Sequence, residues 1–164
     1  MKDADLMTEL VQVALQGVED RTIKKLDDLY KQNDKEGPFV GENDCKEKLI
    51  STLEYIKNEM GTLFENDKIP AYFFYSIFTA LIYNRYGIAN VTEDMVDGYT
   101  STGKFAENIV SSVRVILDML REAEEKNENG RYKEFARACS SSTQRIANRR
   151  IRLKWLIKAL QEPI

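Results

Sequence analysis

The sequence predicts an all-α fold, a multi-helix orthogonal bundle of about seven to eight helices, in a single helical domain over residues 1–164. Three observations carry that expectation. Apolar residues recur at spacings of three and four along nearly the whole chain. No segment alternates apolar and polar residues over a strand's length; VRVIL, residues 113–117, comes nearest, but its flanks continue a helical stripe. Glycines, prolines and capping residues punctuate the chain at helix-length intervals. The composition is ordinary for a globular chain, 43% apolar and 31% charged, and 164 residues suffice for one core.

The elements follow in order. Asp3 can cap a first helix carrying Leu6, Leu10, Val13 and Ala14, and Gly17 ends it. A second is expected from about Thr22 to Asn33, with Ile23, Leu26, Leu29 and Tyr30 on one side. DKEGPFVGEN reads as a loop, broken by Gly37-Pro38 and Gly41. Asn43 can cap a third helix, whose Leu49, Leu53, Ile56, Met60 and Leu63 make one apolar stripe. The helix after Pro70, ending near Gly87, is apolar on most of its surface and is expected at the centre of the core. Thr92 opens TEDM, a cap for a short helix to about Asp97. Ser101 or Thr102 starts a long helix carrying Ile109, Val113, Ile116, Leu117 and Leu120, and NENG stops it at Gly130. A short helix with Tyr132, Phe135 and Ala136 comes next. Ser142, in the SSST turn, caps the last helix, which runs to about Gln161 before Pro163.

Composition limits the function classes. With no histidine, the chain lacks HExxH zinc sites and histidine-based triads. Cys45 and Cys139 fit no CxxC pattern and read as reduced thiols of an intracellular, cytoplasmic protein. The polar N-terminus MKDADLMTEL does not read as a signal peptide. The longest apolar run, IPAYFFYSIFTALIY, falls short of the about 20 residues a membrane span needs. No membrane, metal or cofactor is therefore expected.

Two near-motifs lie in GYTSTGKF, residues 98–105. It reads G-x-x-x-x-G-K, but Phe105 stands where a phosphate loop needs Ser or Thr for magnesium, and no strand precedes it. Its STGK matches the S-x-x-K spacing of serine acyl-enzymes, without the S-D-N or K-T-G partners. In DKEGPFVGENDC, Phe39 occupies the position where a calcium loop needs glycine. A helix–helix turn and solvated acidic faces account for these segments, and the chain is expected not to be an enzyme.

The net charge of −3 hides a split. Residues 131–158 hold nine basic residues against Glu134 alone, a net +8, whereas residues 1–130 hold 15 basic and 25 acidic residues, a net −10. On the last helix Arg145, Arg149 and Arg152 form one row and Arg150, Lys154 and Lys158 another, flanking an apolar stripe of Ile146, Leu153, Leu156, Ile157 and Leu160. Arginines in a row can grip successive phosphates, and the SSST turn offers hydroxyls and free N–H groups at the helix start. Thr143, Arg145, Arg149, Arg150, Arg152 and Lys154 are accordingly the candidate phosphate-binding residues. Three readings stay open: a solvated amphipathic helix, docking on an acidic surface of the chain or of a partner, and contact with nucleic-acid phosphate.

FARACSSSTQRIANRRIRLKWLIKAL resembles the late helical region of the bacterial family called domain of unknown function 262, related to GmrSD-type restriction proteins. The likeness rests on Phe135, Ala138, Ser140, Thr143, Arg149, Arg152, Leu156 and Leu160. At the other end Lys2, Asp3, Leu6, Leu26, Asp27, Asp28 and Tyr30 are similar to the opening of the same region, and FFYSIFTALIY fits between. The D-G-Q-Q-R motif of that family's ParB-like N-terminal domain is missing, as is its histidine-dependent nuclease. The resemblance thus implies a non-catalytic helical module of a DNA-targeting defence protein, a stand-alone relative or the C-terminal part of a larger one. Its partners would be nucleic acid, or a ParB-like domain or other protein. The alternative is a protein-interaction scaffold whose basic helix docks on acidic helices or on a partner domain.

Overall fold

The computed structural model describes residues 2–20, 22, 24, 27, 28, 31, 41–64, 69–126 and 129–163. Among them are six α-helices and no strand: α1 (Lys2–Gln16), α2 (Glu42–Glu59), α3 (Ala71–Tyr86), α4 (Ile109–Glu124), α5 (Lys133–Ser140) and α6 (Ile146–Gln161). Two 3-10 turns, Gly61–Leu63 and Glu93–Val96, lie between them. The all-α class is as expected, but the described count is six α-helices instead of seven to eight. TEDM forms only a 3-10 turn, and the helix expected over 22–33 lies largely outside the described residues.

The core is organised on the pair α3 and α6. α1 and α2 pack on α3, α4 and α5 pack on α6, and the Glu93–Val96 turn closes against α6. α3 takes the central place because it has no polar face to give to solvent. Every residue from Tyr75 to Asn84 is buried. Ser76 and Thr79 turn their hydroxyls back onto the carbonyls of Tyr72 and Tyr75, at 2.8 and 2.7 Å, so that these polar groups are satisfied within the core.

Three helix starts differ from expectation, each for its own local or tertiary reason. α2 begins at Glu42 after Gly41, whose φ of 87° favours glycine, so Asn43 lies inside the first turn. α4 begins only at Ile109, where Asn108 Oδ1 accepts from Ser111 N–H at 3.1 Å. The preceding stretch is tied down instead: Thr102 and Gly103 both donate to Asn84 O, Asn84 Nδ2 donates to Phe105 O, and the Phe105 ring stacks on Tyr55 at 4.4 Å. α6 is not capped by Ser142, which sits in a turn at φ 48°. Its first N–H, on Ile146, donates to Asp20 Oδ1 at 2.5 Å, a cap supplied from 126 residues away.

Candidate functional site

The last helix buries two of the arginines assigned to its cationic face. Arg149 is 4% and Arg152 0% exposed, so the expected surface row Arg145–Arg149–Arg152 is corrected. The reason lies in the helical period. At about 100° per residue, Arg149 precedes Leu153, Leu156 and Leu160 by four, seven and eleven positions, which puts it on the midline of the buried stripe. Arg152 lies at that stripe's edge, four positions before Leu156. Ile146, expected in the stripe, is only half-buried.

Arg149 reaches α1 and the segment after it. Its Nη2 forms an ion pair with the Glu9 carboxylate, and its Nη1 donates to Glu19 O at 2.9 Å. The guanidinium stacks over the Tyr75 ring at 4.1 Å, a distance suited to cation–π attraction. Its Nε–H, fully buried, has no acceptor among the described residues.

Arg152 is held by neutral groups. Its Nε donates to Ser76 Oγ at 2.9 Å, Nη1 to Ala138 O at 2.6 Å and Nη2 to Thr143 O at 2.5 Å. Tyr72 lies beneath it at 5.3 Å. Among the described residues no carboxylate forms an ion pair with it. Burial pushes the Arg152 guanidinium below its ordinary value, with the neighbouring Arg149 charge adding to that effect. Burial also raises the Cys139 thiol beside it to about 11, although the Arg152 charge works the other way, so Cys139 is no poised nucleophile.

A cavity of about 210 Å³ opens between α1, α3 and the start of α6, and both arginines line it. Asp5 and Glu9 form its α1 wall, and Tyr72 and Tyr75 its α3 wall. Ala71, the exposed first residue of α3, also lines it. The site therefore places two buried cations, two aromatic rings and the electropositive end of a 16-residue helix around one space.

The other sequence candidates scatter. Thr143 is half-buried, and it is its carbonyl that serves Arg152. Arg145 is exposed at the helix start and Arg150 is half-buried. Lys154 pairs with Glu134 at 3.1 Å and Asp97 at 3.6 Å. Glu134 also accepts from Trp155 Nε1 at 2.9 Å. Partial burial opposes its ionisation, but the Trp155 and Lys154 bonds prevail and hold its carboxyl below the usual range. The structure thus joins Arg149, Arg152 and Thr143 at one place and leaves Arg145, Arg150 and Lys154 apart from their guanidinium contacts. Glu9 and Asp20 are not legible in the sequence, because an acid on or beside an amphipathic helix carries no mark of a distant partner, and Tyr75 is legible only as one member of the aromatic run 72–78. The position of Arg149 within the leucine stripe was the one legible signal.

The near-motif at 98–105 does not form a phosphate cradle. The N–H groups of Thr102 and Gly103 are spent on Asn84 O, and a 3-10 turn, not a strand, precedes the loop. Among the described residues no group of three metal-ligating side chains converges, and no helix is long and apolar enough to cross a membrane. Comparison with family models, with curated proteins and with solved structures finds no match to this chain.

Proposed function

We propose that the chain is a protein-interaction scaffold, a non-catalytic helical module whose basic last helix docks on acidic residues of the chain itself. The observation that carries this reading is the buried ion pair between Arg149 and Glu9. Asp20 at the start of α6 and Glu134 and Asp97 along it support the same reading, since each receives a group of the basic helix. Two of the nine basic residues of 131–158, Arg149 and Lys154, thereby pair with acids of the first 130 residues. The resemblance of residues 135–160 to the domain-of-unknown-function-262 and GmrSD-type proteins supports a place in a bacterial DNA-targeting defence protein. A ParB-like domain or another protein would be the partner there. Charge reversal at Arg149 or Arg152 is expected to lower the melting temperature sharply or to prevent folding. Unchanged melting in both variants would overturn the scaffold reading.

A second reading, contact with nucleic-acid phosphate, is favoured by one observation. Arg131, Lys133, Arg137 and Arg145 are exposed, and Lys133 and Arg137 share one row of α5. Anisotropy of a labelled duplex across a salt series tests it. Binding that falls steeply with salt and is weakened by Arg137→Glu with Arg145→Glu would support the reading. No binding at low salt would leave the scaffold alone.

A further inference from the structure

We propose that the groove between α4, the segment leading into α5 and the end of α6 docks an acidic peptide segment carrying one aliphatic side chain. This deepens the scaffold reading, on which it rests, by stating the chemistry of the partner.

The cations of the groove are reachable and unpaired. Arg131 and Lys158 line it, both are exposed, and neither forms an ion pair among the described residues. Each lies over a ring, Arg131 over Tyr132 at 5.4 Å and Lys158 over Trp155 at 5.9 Å, which positions the charge without neutralising it. Glu162 is the acid that lines the groove, and its carboxylate accepts from the Tyr99 hydroxyl at 2.8 Å. Two cations against one acid leave the groove positive. Lys133 and Arg137, exposed on α5 and likewise without an ion pair among the described residues, extend that field. An acidic partner is the charge complement.

The apolar lining selects the rest of the partner. It consists of Met119 and Ala159, both buried, with Val115 and Trp155, both half-buried. An aliphatic group seated there leaves water, a gain that a phosphate chain does not supply. The space, about 100 Å³, is smaller than the about 150 Å³ of a cavity that admits benzene, and suits a group the size of a leucine side chain. Tyr132 packs against Trp155 at 88° with ring centroids 5.7 Å apart, and Lys158 covers the indole, so that ring is no free platform for a stacked base. A peptide therefore fits this groove better than a nucleic acid does.

The probes are three fluorescein-labelled short peptides: a central leucine among glutamates, the same with serine for leucine, and the same with lysines for the glutamates. Each is titrated against the whole chain at low salt by anisotropy, with an unlabelled DNA duplex as competitor. The leucine peptide is expected to bind saturably, the serine peptide about tenfold or more weakly, and the lysine peptide not at all. Arg131→Glu combined with Lys158→Glu is expected to weaken leucine-peptide binding about tenfold or more. Its melting temperature should stay within about 3 °C of the native chain, because both side chains are exposed. Equal binding of the leucine and serine peptides would overturn the proposal, because the groove would then play no part. Unchanged binding in the double variant would overturn it as well. Displacement of the peptide by duplex more readily than by unlabelled leucine peptide would overturn it in favour of a nucleic-acid face. Absence of leucine-peptide binding would overturn it outright, and that measurement needs no variant to fold. The scaffold reading itself is decided by the melting of the Arg149 and Arg152 variants, so its failure is told apart from failure of the groove.

Discussion

Arg149 of α6 and Glu9 of α1, 140 residues apart in the chain, meet as an ion pair with both side chains less than a tenth exposed. Each ion is desolvated, so the pair matters chiefly through what its breaking leaves behind. Arg149→Ala is expected to cost about 3–5 kcal/mol, since Glu9 would remain as an uncompensated buried charge. Replacing both residues by Leu should cost less than the sum of the two single replacements. A double-mutant cycle from urea denaturation measures the coupling, and additive single costs would mean the two side chains do not act on each other.

Asp20 caps α6 from outside the helix, through the bond from Ile146 N–H. Asp20→Ala is expected to destabilise by about 1 kcal/mol, with Asp20→Asn nearly neutral because its side-chain carbonyl can still accept. Amide exchange at Ile146 and Ala147 should accelerate in the alanine variant before global stability is lost. Equal exchange in both variants would sink the cap.

Asn90 clamps the end of α1 to the end of α3. Its Oδ1 accepts from Val18 N–H at 3.0 Å and its Nδ2 donates to Val18 O at 2.9 Å. Gly17 beside it has φ 91°, and a Cβ there would stand 2.0 Å from Asn90 Oδ1. Gly17→Ala should therefore destabilise by at least about 2 kcal/mol, combining left-handed strain with loss of the clamp. Asn90→Ala should cost about 2 kcal/mol. Gly17→Ala made in the Asn90→Ala background should cost less than in the native chain, and equal costs would show that the clamp is not what alanine displaces.

Glu134 gives a pH-dependent contribution. Its folded carboxyl lies below the ordinary value of about 4.3, so its stabilisation is complete above that value and is lost as pH falls through the lowered folded one. Glu134→Gln should flatten the acid limb of stability against pH while changing little else in that profile's shape. Melting scans between about pH 2 and pH 7 follow this directly, and parallel curves for the two proteins would refute it.

How much was legible differs from element to element. The aromatic helix was placed at the centre of the core from composition alone, because a helix without a polar face has nowhere else to go. The stripe of Leu153, Leu156, Ile157 and Leu160 was read correctly, since the helical period fixes which side chains share a face. The start of α4 lies at Ile109, several residues beyond the Ser101–Thr102 caps that the sequence offers. Ser101 and Thr102 are good capping types, but tertiary bonds to Asn84 hold that stretch out of the helix. Their charge points Arg149 and Arg152 to the surface, but their positions on the leucine stripe put both in the core.

The sequence by itself determined the all-α class, the apolar faces and the separation of acidic and basic parts of the chain. Those properties follow from local periodicity and composition, which need no knowledge of neighbours. Only the tertiary structure decided that two arginines turn inward, that one of them meets Glu9 and that the other meets no acid among the described residues. A cation enters a core only where acceptors from distant segments converge on it, and no local pattern encodes that convergence.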